Sequence, residues 1–146
     1  MIKKIFNKIF KQKNGMSFRQ GFDLTELPIV TLYQGSRRYN FLLDTGSNDS
    51  IIDSNILKQM EYKETDGQSD LFGLGGSTTR VSICNITLSY KDKEYNYDYL
   101  VHDMSAPFDR IKQSSGVILH GIIGSKFFNQ FKYVLDFDEL IAYSKE

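Results

Sequence analysis

Phe41-Leu42-Leu43-Asp44-Thr45-Gly46-Ser47 is the stretch on which the fold of this chain turns. An apolar run leads straight into a carboxylate, a hydroxyl and a glycine. A charge at the end of an apolar strand is costly unless it is hydrogen-bonded or shared. Gly46 lets the backbone turn sharply and aim an N–H at the carboxylate. Alone, Asp-Thr-Gly also suits an ordinary exit from a strand into a turn, so its meaning depends on its surroundings.

Outward from this stretch the chain reads as short strands separated by turn residues, an all-β pattern. Leu27–Tyr33 is a strand, 34–37 a turn around Gly35, and Tyr39–Leu43 the returning strand. Residues 44–50 form a polar loop, and a short helix is expected near Ser54–Met60 with Ser54 as its N-cap. Residues 61–69 read as a polar loop. Arg80–Tyr90 is a strand whose apolar positions change phase between Val81/Ile83 and Ile86/Leu88, the mark of a bulge. After a charged turn at 91–94, Tyr95–Val101 pairs back, and its stripe of Tyr95, Tyr97 and Tyr99 reads as a half-buried sheet face. Residues 103–116 read as a loop containing Pro107. Val117–Ile123 is a strongly apolar strand, Ser125–Phe131 a short helix, and Tyr133–Phe137 with Leu140–Tyr143 a closing hairpin.

Two further segments bear on Asp44. Gly73-Leu74-Gly75-Gly76 lies at what reads as a hairpin tip, where several glycines make a mobile flap able to approach an extended ligand. The run lacks the Gly-Lys-[Ser/Thr] ending of a phosphate loop. Gly121-Ile122-Ile123-Gly124-Ser125-Lys126-Phe127-Phe128 is an apolar strand that ends in glycine and opens a helix, suited to pass beside the Asp44 loop and support it.

Together these residues resemble the retropepsin-like aspartic proteases, the group of retroviral proteases and their bacterial relatives. Leu42–Ser47 resembles the family's active-site loop, Phe72–Gly76 its glycine-rich flap tip, and Ile122-Ile123-Gly124 with Ser125–Phe128 its apolar-apolar-Gly motif and following helix. The three occur in the family's order and span residues 41–131, with a looser middle spacing because 90–116 reads as an inserted hairpin and loop. The resemblance implies an all-β, acid-protease-like closed barrel with one or two short helices. It also implies an aspartic endopeptidase acting on a peptide or protein substrate, with no cofactor and no metal.

The chain contains one Asp-Thr-Gly and no second Asp-[Ser/Thr]-Gly. One carboxylate cannot serve as general base and general acid at once, so a homodimer would bring two Asp44 side chains together. Carboxylates about 3 Å apart share a proton and titrate as a pair. On the resemblance, Asp44 is catalytic, Thr45 braces the two loops across the dimer axis, and Gly46 supports the backbone and lines the channel. Ser47, Asn48, Gly73, Leu74, Gly75, Gly76 and Ile123 would contact substrate, with Leu74 at the tip of the closing flap. The Ser47 hydroxyl is expected to donate to the carboxylate and shift the working pH lower. Two positions depart from the viral pattern: Asn48 and Ser125 stand where an aspartate and an arginine form a charge pair. That departure keeps a competing reading open, a non-catalytic peptide-binding or assembly module on the protease fold.

Composition narrows the classes. The 146 residues suit one domain, and 40 % hydrophobic content fills one modest core. Residues 1–20 hold six basic residues and no acid, leaving 12 basic against 18 acidic residues in the remainder. An acidic body argues against nucleic-acid binding, which needs a basic surface. Cys84 is the single cysteine, so no internal disulfide forms, and its apolar strand marks it as buried filler. With His102, His120 and Cys84 the only soft ligands, a zinc site is not expected. No run approaches the roughly 20 apolar residues that span a bilayer, and lysines interrupt any signal-like core. Residues 1–22 divide off as a basic amphipathic segment and linker. Ile2, Ile5, Phe6, Ile9 and Phe10 lie at helical spacing, open to weak contact with an anionic membrane surface through 1–13. Residues 23–146 read as the protease-like domain, expected in the cytoplasm or at a membrane surface there.

Overall fold

A computed structural model describes residues 15–73 and 75–145. The proposed amphipathic helix at 1–13 and the flap residue Leu74 lie outside them. In chain order the elements are α1 (Phe18–Thr25), β1 (Ile29–Gln34), β2 (Arg37–Leu43), β3 (Ile51–Asp53), a 3-10 helix (Ser54–Gln59), β4 (Lys63–Phe72), β5 (Thr78–Tyr90) and β6 (Lys93–His102). They continue with α2 (Ser105–Ser115), β7 (Gly121–Ile123), α3 (Ser125–Gln130), β8 (Tyr133–Asp136) and β9 (Ile141–Ser144).

Seven strands form one sheet in the order β1-β2-β7-β3-β6-β5-β4, and β1 pairs back onto β5 at Tyr33–Ser89. That pairing closes six strands into a barrel and leaves β4 as an outer strand on β5, as the resemblance implied. β8 and β9 make a separate two-stranded sheet. The barrel strands carry apolar residues on consecutive positions because both faces are covered. Val30, Phe41, Leu43, Ile52 and Ile123 join one cluster with Ile86, Leu88, Tyr95 and Tyr99, which fills the barrel and continues to Phe127 of α3. Their neighbours Ile29, Leu42, Ile51 and Ile122 turn the other way, into a second cluster with Met104, Phe108, Val117 and Leu119. The tyrosine stripe belongs to the first cluster, with Tyr95 and Tyr99 fully buried.

Several expected boundaries differ. The region taken as linker ends in α1, whose start is a reciprocal capping box: Gln20 N–H donates to Ser17 Oγ and Ser17 N–H donates to Gln20 Oε1. Residues 103–116 contain α2. Pro107 sits in its first turn, where a missing N–H removes no helical hydrogen bond. Of the loop expected over 61–69, residues 63–69 belong to a strand, β4. β4 has no apolar period because it lies on the outside of the sheet and is held by backbone pairing to β5. The phase change in β5 does not come from a bulge in that strand. Val81 and Ile83 face the second cluster, while Cys84, Ile86 and Leu88 face the first. The irregularity sits on the partner, between Glu64 and Gln68. The apolar strand at 117–123 pairs only over Gly121–Ile123, and Asp53, not Ser54, caps the 3-10 helix.

Candidate active site

β7 is threaded between β2 and β3, parallel to one and antiparallel to the other. Its two glycines make that passage possible. A Cβ at Gly121 would lie 2.5 Å from the Phe41 ring and 2.6 Å from the Ile51 carbonyl oxygen. A Cβ at Gly124 would lie 2.4 Å from the Asp49 carbonyl oxygen and 2.7 Å from that of Ser47. No side chain fits at either place without displacing backbone.

Asp44 follows directly on β2. Its N–H donates to the Ile123 carbonyl at 2.9 Å, and Leu43 N–H donates to Pro28 O at 2.8 Å, so the chain on either side of this junction is pinned. The loop then turns: Ser47 N–H donates to Asp44 O at 3.2 Å and Gly46 N–H donates to Asp44 Oδ1 at 2.9 Å. The Asp44 side chain is half-buried, while Thr45, Gly46 and Asn48 are exposed.

The far half of the loop is held by the β7–α3 junction. Ser125 N–H donates to Ser47 O at 2.7 Å, and Lys126 N–H donates to Asn48 O at 3.1 Å. Gly124 N–H donates to the buried Ser50 hydroxyl at 3.0 Å. Loop carbonyls thereby occupy N–H groups that a helix start leaves free. Lys126 Nζ meets Asp49 Oδ1 at 2.8 Å, a hydrogen bond and opposite charge that raise the lysine's pKa. The neutral positions Asn48 and Ser125 are thus each followed, one residue on, by a member of an ion pair. Sequence reasoning missed this pair. The signal was present as opposite charges offset by one from both departures.

Ile123, expected to line the substrate channel, has 0 % of its surface exposed; its role at the site is the carbonyl that fixes Asp44 N–H. The Ser47 hydroxyl donates to Asp49 O at 2.7 Å, so its single proton is not directed at the Asp44 carboxylate. It braces the loop.

The second predicted element is the tip joining β4 to β5. Gly73 N–H donates to Ser77 O at 2.8 Å, and Gly75 and Gly76 have φ of +97° and +86°, which only glycine adopts without strain. Phe72 beside the tip is 76 % exposed. His120 is held by backbone, its Nδ1 accepting from Asn40 N–H at 2.9 Å, and burial lowers its pKa. Burial, followed by the charge of Asp98, pushes the Cys84 thiol up to about 11, so it stays protonated. Among the described residues no group of three or more His, Cys, Asp or Glu is placed to hold a metal.

With this geometry in place, comparison with known families is decisive: residues 25–136 match the model of the retroviral aspartyl protease family. The chain belongs to that family. Solved retropepsin-like structures agree on the fold. The EIAV protease in complex with the inhibitor HBY-793 superposes with a TM-score of 0.50 at 20 % identity, covering 75 % of this chain and 92 % of the viral one. The retroviral protease-like domain of Ddi1 from Leishmania major gives a TM-score of 0.54 at 12 % identity, covering 82 % and 89 %. No curated protein matches this retropepsin-like chain.

Proposed function

We propose that the chain is an aspartic endopeptidase whose active site forms when two copies meet across a two-fold axis, each giving one Asp44. The observation that carries this reading is the placement of Asp44. Its backbone is locked between Ile123 and Ser47, one carboxylate oxygen is held by Gly46 N–H, and the side chain stays partly open to solvent. So much bracing around one half-exposed carboxylate is the preorganisation catalysis requires. Asp49, the other acid of the loop, is tied to Lys126.

In the dimer the two Asp44 carboxyls hold one proton between them. The ionised member takes a proton from a water lodged between the pair, and the water oxygen bonds to the scissile carbonyl carbon. The protonated member gives its proton to the carbonyl oxygen, yielding a tetrahedral diol. Collapse of the diol breaks the C–N bond: the carboxyl protonated by the water gives its proton to the amine nitrogen, the other carboxylate takes the proton of one diol hydroxyl, and the pair again holds one proton. Thr45, exposed beside Asp44, braces the partner loop, and the tip at 73–76 closes over the peptide to exclude water. The β8–β9 hairpin, with Ile141 47 % and Tyr143 38 % exposed, supplies apolar surface for the subunit contact.

Sedimentation combined with a peptide-library cleavage assay on wild type and Asp44→Asn tests the proposal. Dimers that cleave, and whose cleavage vanishes with the substitution, support it. A folded chain that binds peptides without cutting them favours the assembly-module reading, and equal cleavage by both proteins refutes the role of Asp44.

A further inference from the structure

Beside the Asp44 loop lies a cavity of about 520 Å³. β4 contributes Gln68 and Ser69 to its lining, the loop and α3 contribute Asp49 and Lys126, and β6 contributes Asp98. The cavity therefore borders both elements between which a bound peptide would run: the loop carrying the proposed catalytic carboxylate and the strand carrying the flap.

Its chemistry is one-sided. Lys126 is neutralised by Asp49 at 2.8 Å. Asp98 has no such counter-charge: the ion pairs among the described residues are Arg80–Asp70 and Lys126–Asp49. Its Oδ1 accepts one hydrogen bond, from Asn85 Nδ2 at 2.8 Å. Asn85 is itself fixed by reciprocal bonds with Asn96 at 3.0 and 2.8 Å, and Asn96 also donates to Thr87 Oγ1. The carboxylate thus stands on a rigid amide ladder instead of a mobile arm. Its charge reaches the neighbouring thiol: burial first and then Asp98 raise the pKa of Cys84, while at Tyr97 Asp98 acts only behind burial and the opposing charges of Asp49 and Lys126. Ile83 and Leu100, paired across β5 and β6 on the face that carries Asp98, add apolar wall to the cavity.

We infer that this cavity is a side-chain subsite selective for lysine or arginine in the substrate, with Asp98 as the residue that sets the preference. A basic side chain matches both halves of the lining, its aliphatic stem against Ile83 and Leu100 and its cationic head at Asp98. An acidic side chain meets an uncompensated like charge, and an apolar one strips water from amides and a carboxylate without replacing the lost hydrogen bonds. The inference rests on the proteolytic reading above. In a two-fold dimer the subsite occurs twice, so basic residues are favoured at two positions equally distant from the scissile bond, one on each side.

The test profiles cleavage of a peptide library by wild type, Asp98→Asn and Asp98→Lys, comparing each peptide bearing lysine at a given position with its norleucine twin. Asp98→Asn keeps an oxygen for Asn85, and the site is exposed, so folding is not at stake. Wild type is expected to favour lysine by about tenfold in kcat/KM at the symmetric positions, the effect of one charge-assisted hydrogen bond. The ratio falls to about twofold or less in Asp98→Asn and turns toward glutamate in Asp98→Lys. Cleavage that depends on Asp44 but shows no basic preference, or a preference unchanged in both variants, overturns this inference and leaves the protease reading standing. Absence of Asp44-dependent cleavage removes both.

Discussion

Gly124→Ala probes the joint on which the active-site geometry depends. The added Cβ would stand 2.4 Å from Asp49 O, 2.8 Å from Asp49 C and 2.7 Å from Ser47 O. All three are backbone atoms, so no side chain can swing aside. Reaching an ordinary contact requires the loop and β7 to separate by nearly 1 Å. The same joint carries Ser125 N–H to Ser47 O, Lys126 N–H to Asn48 O and Gly124 N–H to Ser50 Oγ, all within 3.1 Å. Overpacking costs about 1–3 kcal/mol, and weakening one or two of these hydrogen bonds adds about 1 kcal/mol each. The expected loss of stability is therefore about 2–5 kcal/mol, read as a lower urea midpoint at unchanged slope. A displacement of that size near the reacting groups also lowers kcat/KM by about a hundredfold. Gly46→Ala is the control for stability alone, since its Cβ would meet no backbone and only Oδ1 of the catalytic Asp44, at 3.2 Å. A Gly124→Ala protein that unfolds within about 0.5 kcal/mol of wild type, a shift typical of surface substitutions, would refute the clamp.

Three further outcomes follow from particular contacts. Ser47→Ala removes the hydroxyl bond to Asp49 O and should cost about 1 kcal/mol, while leaving the acid limb of the pH–rate profile in place. A moved acid limb would mean that the hydroxyl acts on the carboxylate after all. Tyr99→Phe should stabilise the fold by about 1 kcal/mol, because the buried Tyr99 hydroxyl has no hydrogen-bond partner; thermal denaturation reads the sign, and destabilisation contradicts it. Asp103 is held down to about 2, from 3.8, first by its hydrogen bonds to the Ser105 hydroxyl and N–H and then by Asn55. A depressed folded-state pKa gives stability that is present above the unfolded value and lost as pH falls toward 2. Stability measured across that window should fall less steeply in Asp103→Asn than in wild type, and equal slopes would exclude the Asp103 contribution.

The barrel was legible because its strands announce themselves by β-branched and aromatic runs, and because Asp44-Thr45-Gly46, the glycine tip and Ile122-Ile123-Gly124 stand in the family's order. Elements without an apolar period were not. β4 is polar from Lys63 to Asp70 and becomes a strand only by pairing with β5, a tertiary cause invisible in its own residues. α1 and α2 are short, and Pro107 reads as a breaker unless its place in the first turn is known. At the site, chain order could place Ile123 beside Asp44 but not decide which way its side chain points. The parallel pairing of Leu43 with Ile123 settles that, turning both inward. The Asp49–Lys126 pair likewise needed the loop and helix start to be brought together before its charges could be matched.

Mixing wild-type and Asp44→Asn chains at fixed total concentration, with subunits free to exchange, counts how many Asp44 side chains one active site needs. If each site draws one from either subunit, activity follows the square of the wild-type fraction, falling to about a quarter in an equal mixture. Activity that falls in simple proportion, to about half, would mean that a single Asp44 suffices and that the proposed shared centre does not exist.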